Sequence, residues 1–246
     1  MSGQGALGRL YGIGLGPGDP ELLTVKAVRI IQGAPVVAYF AKAGRRGHAR
    51  KIVDSWMPSP CVELPLYYPV TTEIAFDDPC YVAQLAAFYQ SSAEAIAAHL
   101  RAGRDVALLS EGDPLFYGSF MHLFVRLKDD FPVTIVPGVT GMSGAWAAAQ
   151  TPVAWGDDTL IVLPGTLPHA GLVARLADCN GAIIMKIGRN LAKVRAALGQ
   201  AGLTERALYI ERATMDNQVI MPLTQKRDDS APYFALIVVP GMGRRP

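Results

Sequence analysis

Short apolar runs alternate with stretches of helical periodicity in the first half of the chain. The runs RLYGIGL, PVVAYFA, VELPLYY, DVALLS and VTIVPG predict strands at 9–15, 35–41, 62–68, 105–110 and 133–138. Between them, apolar residues recur every three or four positions, which predicts helices over 21–32, 49–56, 79–101 and 115–128. For the first helix, Asp19 fits the N-cap, Pro20 the first helical position and Gly33 the stop. Strands separated by helices indicate a parallel α/β sheet.

The second half of the chain has a different pattern. Strands are predicted at TLIVLPG, GAIIMKIG, RALYIERA, NQVIMPL and YFALIVVP, with helices over 167–177 and 190–201. The last strands have no helix between them, so some of their pairing should be antiparallel. We therefore expect two α/β domains, an N-terminal domain of residues 1–139 with a mostly parallel sheet and a C-terminal domain of 140–246 with a mixed sheet. The active site is expected in a cleft between them.

The segment GIGLGPGDPELLT places Gly12, Gly14, Gly16 and Gly18 directly after the first predicted strand. A dinucleotide-binding GxGxxG motif fails in all three frames, because Pro17, Asp19 and Glu21 stand where its last glycine is needed. No acidic residue follows at the distance of a ribose-binding acid, and the GxxxxGK pattern fails as well. The glycines still allow another surface to approach the backbone closely, although a simple capped turn explains them equally well.

The Gly-Asp-Pro turn returns in VALLSEGDPLFYGS, again between an apolar strand and a helix. A third strand end, VTIVPGVTGMSGAW, is also rich in glycine, serine and threonine. The carboxyl ends of parallel strands meet at one edge of the sheet, where α/β proteins bind ligands. Three loops of this kind favour one shared binding edge over three unrelated turns.

These three segments, in this order and at these separations, resemble the tetrapyrrole (precorrin) methylase family over residues 10–240. The resemblance implies a two-domain tetrapyrrole methylase fold and a methyl transfer from S-adenosylmethionine by an SN2 reaction. The segments VVAYFAKAGRRGHARKIV, LYYPVTTE and EGDPLFYGSFMHLF are most similar to the precorrin-2 C20-methyltransferases, which act in cobalamin biosynthesis. The stretch 61–90, with Tyr67, Tyr68, Thr71, Thr72 and Glu73, contributes most to this similarity. Phe40 departs from the proline expected in VVAYP.

The resemblance also implies which residues contact the cofactor. These are Pro17, Glu111, Gly112, Asp113, Phe116, Thr140, Gly141, Met185 and Ala213. Glu111 replaces the first glycine of the family's Gly-Gly-Asp, and Gly141 replaces the alanine of its Thr-Ala pair. Helix capping is an equally good role for Asp113, and both roles are compatible.

A substrate with many carboxylates requires a basic surface. Arg45, Arg46, His48, Arg50 and Lys51 form such a cluster after the second strand, and no acidic residue lies between 42 and 53. We take Arg45, Arg46, Arg50, Lys51, Tyr68 and Tyr117 as substrate-binding candidates. The alternatives are a solvated loop for each cation and ordinary core packing for the aromatic rings, including Tyr67 and Trp146. Tyr117, Glu111 and Glu73 are candidate bases, and no spacing argument selects one of them.

Composition narrows the protein class. Of 246 residues, 50% are hydrophobic and 18% are charged, which supports a buried core, and the net charge of +2 is too small for a nucleic-acid scaffold. Three widely spaced cysteines indicate reduced thiols in a cytoplasmic protein, and four histidines without ligand spacing predict no metal site. No membrane span or signal peptide is predicted. The resemblance implies a homodimer.

Three other functions remain open from the sequence alone. Another methylase of the same family, acting on cobalt-factor II or uroporphyrinogen III, would share the segment GPGDPELLT, which indicates the fold and the cofactor but not the substrate. A nicotinamide-dependent oxidoreductase is disfavoured by the broken GxGxxG pattern. A tetrapyrrole carrier without catalytic activity would bind the macrocycle but not transfer a methyl group.

Overall fold

A computed structural model describes residues 6–69 and 79–243 of the protein. The chain forms two compact units, Met1–Thr140 and Gly141–Pro246. Each unit is an α/β structure with its own five-stranded sheet. The predicted fold class is confirmed, with a parallel sheet in the first unit and a mixed sheet in the second.

The sheet of the N-terminal unit is parallel in all its pairings and has the order β3-β2-β4-β1-β5. Its strands are β1 (Leu10–Gly14), β2 (Val36–Lys42), β3 (Val62–Tyr68), β4 (Val106–Ser110) and β5 (Val133–Val136). In the register of the central strands, Gly14 pairs with Ser110. All five strands point the same way, so the loops that follow them meet at one edge of the sheet.

Four helices cover this sheet: α1 (Val25–Gly33), α2 (His48–Ile52), α3 (Pro79–Arg101) and α4 (Phe120–Leu127). Alternation along each strand sends side chains to opposite faces, and the buried residues accordingly divide into two clusters. Helices α3 and α4 pack on the face that carries Leu10 and Leu108. Helices α1 and α2 pack on the face that carries Ile13 and Leu109.

Three predicted helices of the N-terminal unit are shorter than expected. Asp19 caps only a 3-10 turn, Pro20–Leu22, because Leu23 is extended with ψ 140°. Helix α1 begins afterwards, where the Thr24 hydroxyl accepts a hydrogen bond from the Ala27 amide at 3.1 Å.

The prediction of a helix over 115–128 was wrong in its first turn, because α4 begins only at Phe120. Residues 115–119 form turns in which Tyr117 has a φ of 55°, a left-handed conformation incompatible with a helix. Similarly, α2 ends at Ile52, and a separate 3-10 turn covers Asp54–Trp56.

The sheet of the C-terminal unit has the order β6-β7-β10-β8-β9. Its strands are β6 (Leu160–Pro164), β7 (Gly181–Met185), β8 (Leu208–Glu211), β9 (Val219–Pro222) and β10 (Ala235–Val239). Among the described residues of this unit, β6 and β7 pair in parallel and the other pairings are antiparallel, so the expected antiparallel pairing of the last strands is confirmed. Helices α6 (His169–Leu176) and α7 (Leu191–Gln200) pack on one face, and α5 (Gly141–Ala148) packs on the other.

Candidate functional site

The three glycine-rich loops of the N-terminal unit are joined by hydrogen bonds. The Gly112 amide donates to the Gly16 carbonyl at 2.8 Å, and the Gly16 amide donates to the Gly112 carbonyl at 3.3 Å. The Gly138 amide donates to Oδ2 of Asp113 at 3.2 Å. The loops after β1, β4 and β5 therefore form one connected surface at the carboxyl edge of the sheet.

The glycines in these loops are required by the closeness of the neighbouring main chain. A Cβ on Gly14 would lie 2.4 Å from the Gly138 nitrogen, and a Cβ on Gly138 would lie 2.1 Å from the Gly112 carbonyl oxygen. Gly16 and Gly112 also have φ values of 78° and 65°, which glycine adopts without strain. The bare backbone at the strand ends thus lets the loops pack against one another.

Asp113 uses both carboxylate oxygens inside these loops. Oδ1 accepts a hydrogen bond from the Leu115 amide at 2.9 Å, and Oδ2 accepts the one from Gly138. The carboxylate therefore caps the turn that follows and also holds the β5 loop. The Phe116 ring lies edge-on to Tyr117 with centroids 4.8 Å apart, and Tyr117 is 41% exposed.

Ser110 is a polar residue that the sequence analysis missed. It is the last residue of β4 and is 5% exposed, and its Oγ has no hydrogen-bond partner among the described residues. A buried hydroxyl without a partner is costly, and such groups mark places where a ligand or a water completes the structure. The available signal was the serine that ends the apolar run VALLS, directly before Glu111.

The predicted basic cluster is partly neutralised in the structure. The Arg50 guanidinium donates to both oxygens of Glu63, at 2.8 and 2.9 Å, and it also pairs with Asp54. Arg46 pairs with Asp54 as well. The sequence interval without acidic residues did not include these partners. Asp54 lies in the next turn, and Glu63 lies in β3.

Arg50 therefore has a structural role that the sequence analysis did not assign. It is 7% exposed, and hydrogen bonding to Glu63 raises the pKa of its guanidinium. A guanidinium committed to two protein carboxylates is a poor direct ligand for a substrate carboxylate. Arg45, Arg46 and Lys51 are exposed and remain substrate-binding candidates.

Acid should weaken this ion pair in a defined pH range. The hydrogen bond from Arg50, with that from Tyr39, lowers the pKa of Glu63 from 4.5 to about 2. The stabilisation is complete above the unfolded-state pKa and is lost as the pH falls through the folded-state value. We expect Glu63→Gln to lower the melting temperature at neutral pH, and the difference from wild type to narrow between pH 4.5 and about 2. Differential scanning calorimetry across this pH range measures the difference in melting temperature.

A matched variant controls for the loss of a carboxylate alone. Glu205 is exposed, so Glu205→Gln should stay close to the wild type at every pH. A Glu63→Gln difference that did not change with pH would contradict the ion-pair explanation.

Tyr68 packs in an aromatic cluster rather than being fully exposed to solvent. Its ring centroid lies 5.5 Å from that of Phe40 and 4.7 Å from that of Phe88. Its hydroxyl is hydrogen-bonded to Ser119. Tyr68 therefore follows the alternative of core packing that the sequence left open. Tyr67, in contrast, is 49% exposed. Three further residues of the predicted substrate segment, Thr71, Thr72 and Glu73, lie outside the described residues.

The C-terminal unit brings two of the predicted cofactor residues together. Met185 ends β7 and Ala213 follows β8, and both belong to one apolar cluster with Met142 and Trp146. Gly141 begins α5, directly after Thr140. Near Ala213, Thr214 has a φ of 68°, which is strained for a β-branched residue and is typical of functional loops.

Residues 6–69 and 79–243 contain no group of three His, Cys, Asp or Glu side chains placed to hold a metal ion. Within the same ranges, no helix combines the length and the hydropathy that a membrane crossing needs.

Comparison with known proteins identifies related sequences over the whole chain. The family model described as Tetrapyrrole (Corrin/Porphyrin) Methylases matches residues 9–226. A precorrin-2 C(20)-methyltransferase of Sinorhizobium sp is 59% identical over 246 residues, which is 100% of both chains. A cobalt-precorrin-2 C(20)-methyltransferase of Salmonella typhimurium is 31% identical over 237 residues, 94% of this chain and 96% of that protein.

Solved structures show the same fold. The uroporphyrin-III C-methyl transferase from Thermus thermophilus, in its complex with S-adenyl homocysteine, matches with a TM-score of 0.67 at 24% sequence identity. The match covers 95% of this chain and 92% of that one. At this identity the similarity establishes the shared fold.

Proposed function

Because the chain belongs to the tetrapyrrole (corrin/porphyrin) methylase family, we propose that it methylates C20 of precorrin-2 in cobalamin biosynthesis. The methyl donor is S-adenosylmethionine, and the products are precorrin-3A and S-adenosylhomocysteine. The observation that carries this proposal is the 59% identity, over its full length, to a precorrin-2 C(20)-methyltransferase. The alternative is methylation of the cobalt-containing form, since the relative named for that substrate is 31% identical.

The glycine loops of the N-terminal unit have the properties that a cofactor site needs. Their main chain lies at the carboxyl edge of the sheet, and Pro17, Gly112 and Thr140 are each half-buried there. The Ser110 hydroxyl at the same edge has no partner among the described residues, so it could bond to a ligand. We include the main chain of Glu111, with Asp113 and Phe116, in this proposed site. We propose that Gly141, Met185 and Ala213 also contact the cofactor.

The electrostatics of these loops suit a positively charged methyl donor. S-adenosylmethionine supplies an activated methyl group on a cationic sulfur. A bare carboxylate beside that sulfur would stabilise the ground state more than the transition state, in which the charge disappears. Asp113 is occupied by two backbone amides, and burial raises the pKa of the Glu111 carboxyl. The main task of the protein is then to place donor and acceptor in line.

The substrate side of the proposal rests on the exposed cations after β2. Arg45, Arg46 and Lys51 are placed to attract the carboxylates of a tetrapyrrole, with Arg46 held in part by Asp54. Tyr117 is exposed beside Phe116 and is the aromatic residue that we propose contacts the macrocycle. Tyr68 would support this surface from within its aromatic cluster. The proposal also includes a homodimer in the cytoplasm, and it assigns no general base.

Product analysis tests this function directly. Precorrin-2 and S-adenosylmethionine labelled at the methyl carbon should yield one labelled methyl group, located at C20 by NMR spectroscopy. A label at another ring position would overturn the C20 assignment. Tight binding without transfer would instead favour a carrier, and turnover of the cobalt complex alone would favour the alternative substrate.

Ligand binding provides a second test. S-adenosylhomocysteine should raise the melting temperature in a concentration-dependent way, because it binds the folded state only. NAD should leave it unchanged. Stabilisation by NAD but not by S-adenosylhomocysteine would contradict the proposed donor.

A further inference from the structure

Helix α2 has no side-chain cap from its own N-cap residue. Its N-cap is Gly47, which has no side chain to accept a hydrogen bond from the first turn. Serine, threonine, aspartate or asparagine normally fills this role. None of them fits here, because a Cβ on Gly47 would lie 2.2 Å from the Phe40 carbonyl oxygen. A side-chain cap for this turn can therefore come only from elsewhere in the chain.

Glu111 supplies that missing group from another strand. The amide of Ala49, the second residue of α2, donates to Oε1 of Glu111 at 3.0 Å, although the two residues are 62 positions apart in sequence. This is the amide that an N-cap side chain would accept from. The Glu111 side chain thus performs, from the end of β4, the capping that Gly47 cannot perform.

The same residue belongs to the glycine loops. Glu111 directly precedes Gly112, which is hydrogen-bonded to Gly16. The next residue, Asp113, accepts a hydrogen bond from the Gly138 amide. Its side chain therefore connects the surface proposed for the cofactor to the segment 43–51, which carries the exposed cations and which we call the basic loop. Helix α2 is also held by a second contact, the hydrogen bond from Arg50 to Glu63.

We propose that Glu111 is a positioning residue that holds the basic loop in place to bind the substrate carboxylates. This inference rests on the proposed function, since it assigns the basic loop to a polycarboxylate tetrapyrrole. Without the Glu111 acceptor, the first turn of α2 loses its cap, and Arg45, Arg46 and Lys51 lose their fixed distance from the glycine loops. Substrate affinity should then fall, while the glycine loops keep their own hydrogen bonds.

The role requires a hydrogen-bond acceptor rather than a charge. A glutamine at this position retains a side-chain carbonyl oxygen at the same reach and can accept from Ala49. Burial raises the pKa of the Glu111 carboxyl, so a neutral side chain is tolerated at this position. Glu111→Gln should therefore preserve the function, and Glu111→Ala should lose it.

Steady-state kinetics with these two variants tests the proposal. Glu111→Ala should raise the KM for precorrin-2 about tenfold, because the uncapped turn no longer fixes the exposed cations of the basic loop. Its kcat and its Kd for S-adenosylhomocysteine should change by less than about threefold. Glu111→Gln should restore the KM to near the wild-type value. Hydrogen exchange should show faster exchange of the Ala49 amide in Glu111→Ala alone. Glu205→Ala, an exposed glutamate in the C-terminal unit, is the control.

Three outcomes would overturn the proposal. A loss of kcat shared by both variants would place the carboxylate in the chemistry. An equal loss of S-adenosylhomocysteine affinity would place it in the cofactor site, and an unchanged KM in Glu111→Ala would leave it without either role. Quenching of uroporphyrin III fluorescence, with this stable polycarboxylate as the probe, repeats the comparison for binding alone. If the wild type binds this probe but does not methylate precorrin-2, the proposed function fails. The effect of the two Glu111 substitutions on probe affinity is still measured in that case.

Discussion

Gly138→Ala is expected to abolish high-affinity binding of S-adenosylhomocysteine and to destabilise the protein. The added Cβ would lie 2.1 Å from the Gly112 carbonyl oxygen and 2.8 Å from the main chain of Gly14. These are backbone atoms of the loop after β4 and of the end of β1, so no side chain can rotate away to relieve the overlap. Overpacking typically costs 1–3 kcal/mol, and here we expect about 3 kcal/mol with a loss of binding of roughly a hundredfold. Isothermal titration calorimetry and chemical denaturation measure the two effects.

The same substitution at an uncrowded glycine is the matched control. A Cβ on Gly33, the last residue of α1, would have no neighbour within 4 Å. Gly33→Ala should be neutral or slightly stabilising, because alanine loses less backbone entropy than glycine in a helix. Wild-type affinity and stability in Gly138→Ala would show that the loops do not need this close approach.

Much of the fold followed from the periodicity of apolar residues. Each predicted strand is present, because runs such as VALLS must be buried on both faces of a parallel sheet. Helix boundaries were less accurate where two local signals compete. Asp19-Pro20 is a good helix start, but Thr24 is a second one, and the extended Leu23 between them ends the first turn. Tyr117 gives no sequence signal for its positive φ, which depends on tertiary contacts.

The candidate site was predictable as a set of loops but not as a set of contacts. All strands of a parallel sheet run in the same direction, so the glycine loops after β1, β4 and β5 could be expected at one edge of the sheet. The partners of charged side chains depend on register between distant segments. Glu63 reaches Arg50 only because β3 pairs with β2, and Glu111 reaches Ala49 only because β4 lies on the other side of β2. No local pattern in the sequence encodes these pairs.

Gly12→Ala should strongly destabilise the protein, because the added Cβ overlaps the Phe120 side chain. A second substitution, at Phe120, should relieve this overlap. A Cβ on Gly12 would lie 2.3 Å from Cζ of Phe120, the first residue of α4. The Phe120 ring is fully buried, so it has no free space into which to move. We expect a loss of about 2–3 kcal/mol for Gly12→Ala and of about 1–3 kcal/mol for Phe120→Leu, which opens a cavity.

The double variant should recover part of this loss, because leucine lacks the ring atoms that overlap the new Cβ. The crowding at Gly12 and the cavity left by Phe120 then offset one another, and we expect a favourable coupling above about 1 kcal/mol. Urea denaturation of the wild type, both single variants and the double variant gives this coupling energy. If the two losses instead added within about 0.5 kcal/mol, contact with Phe120 would not be the reason for glycine at this position.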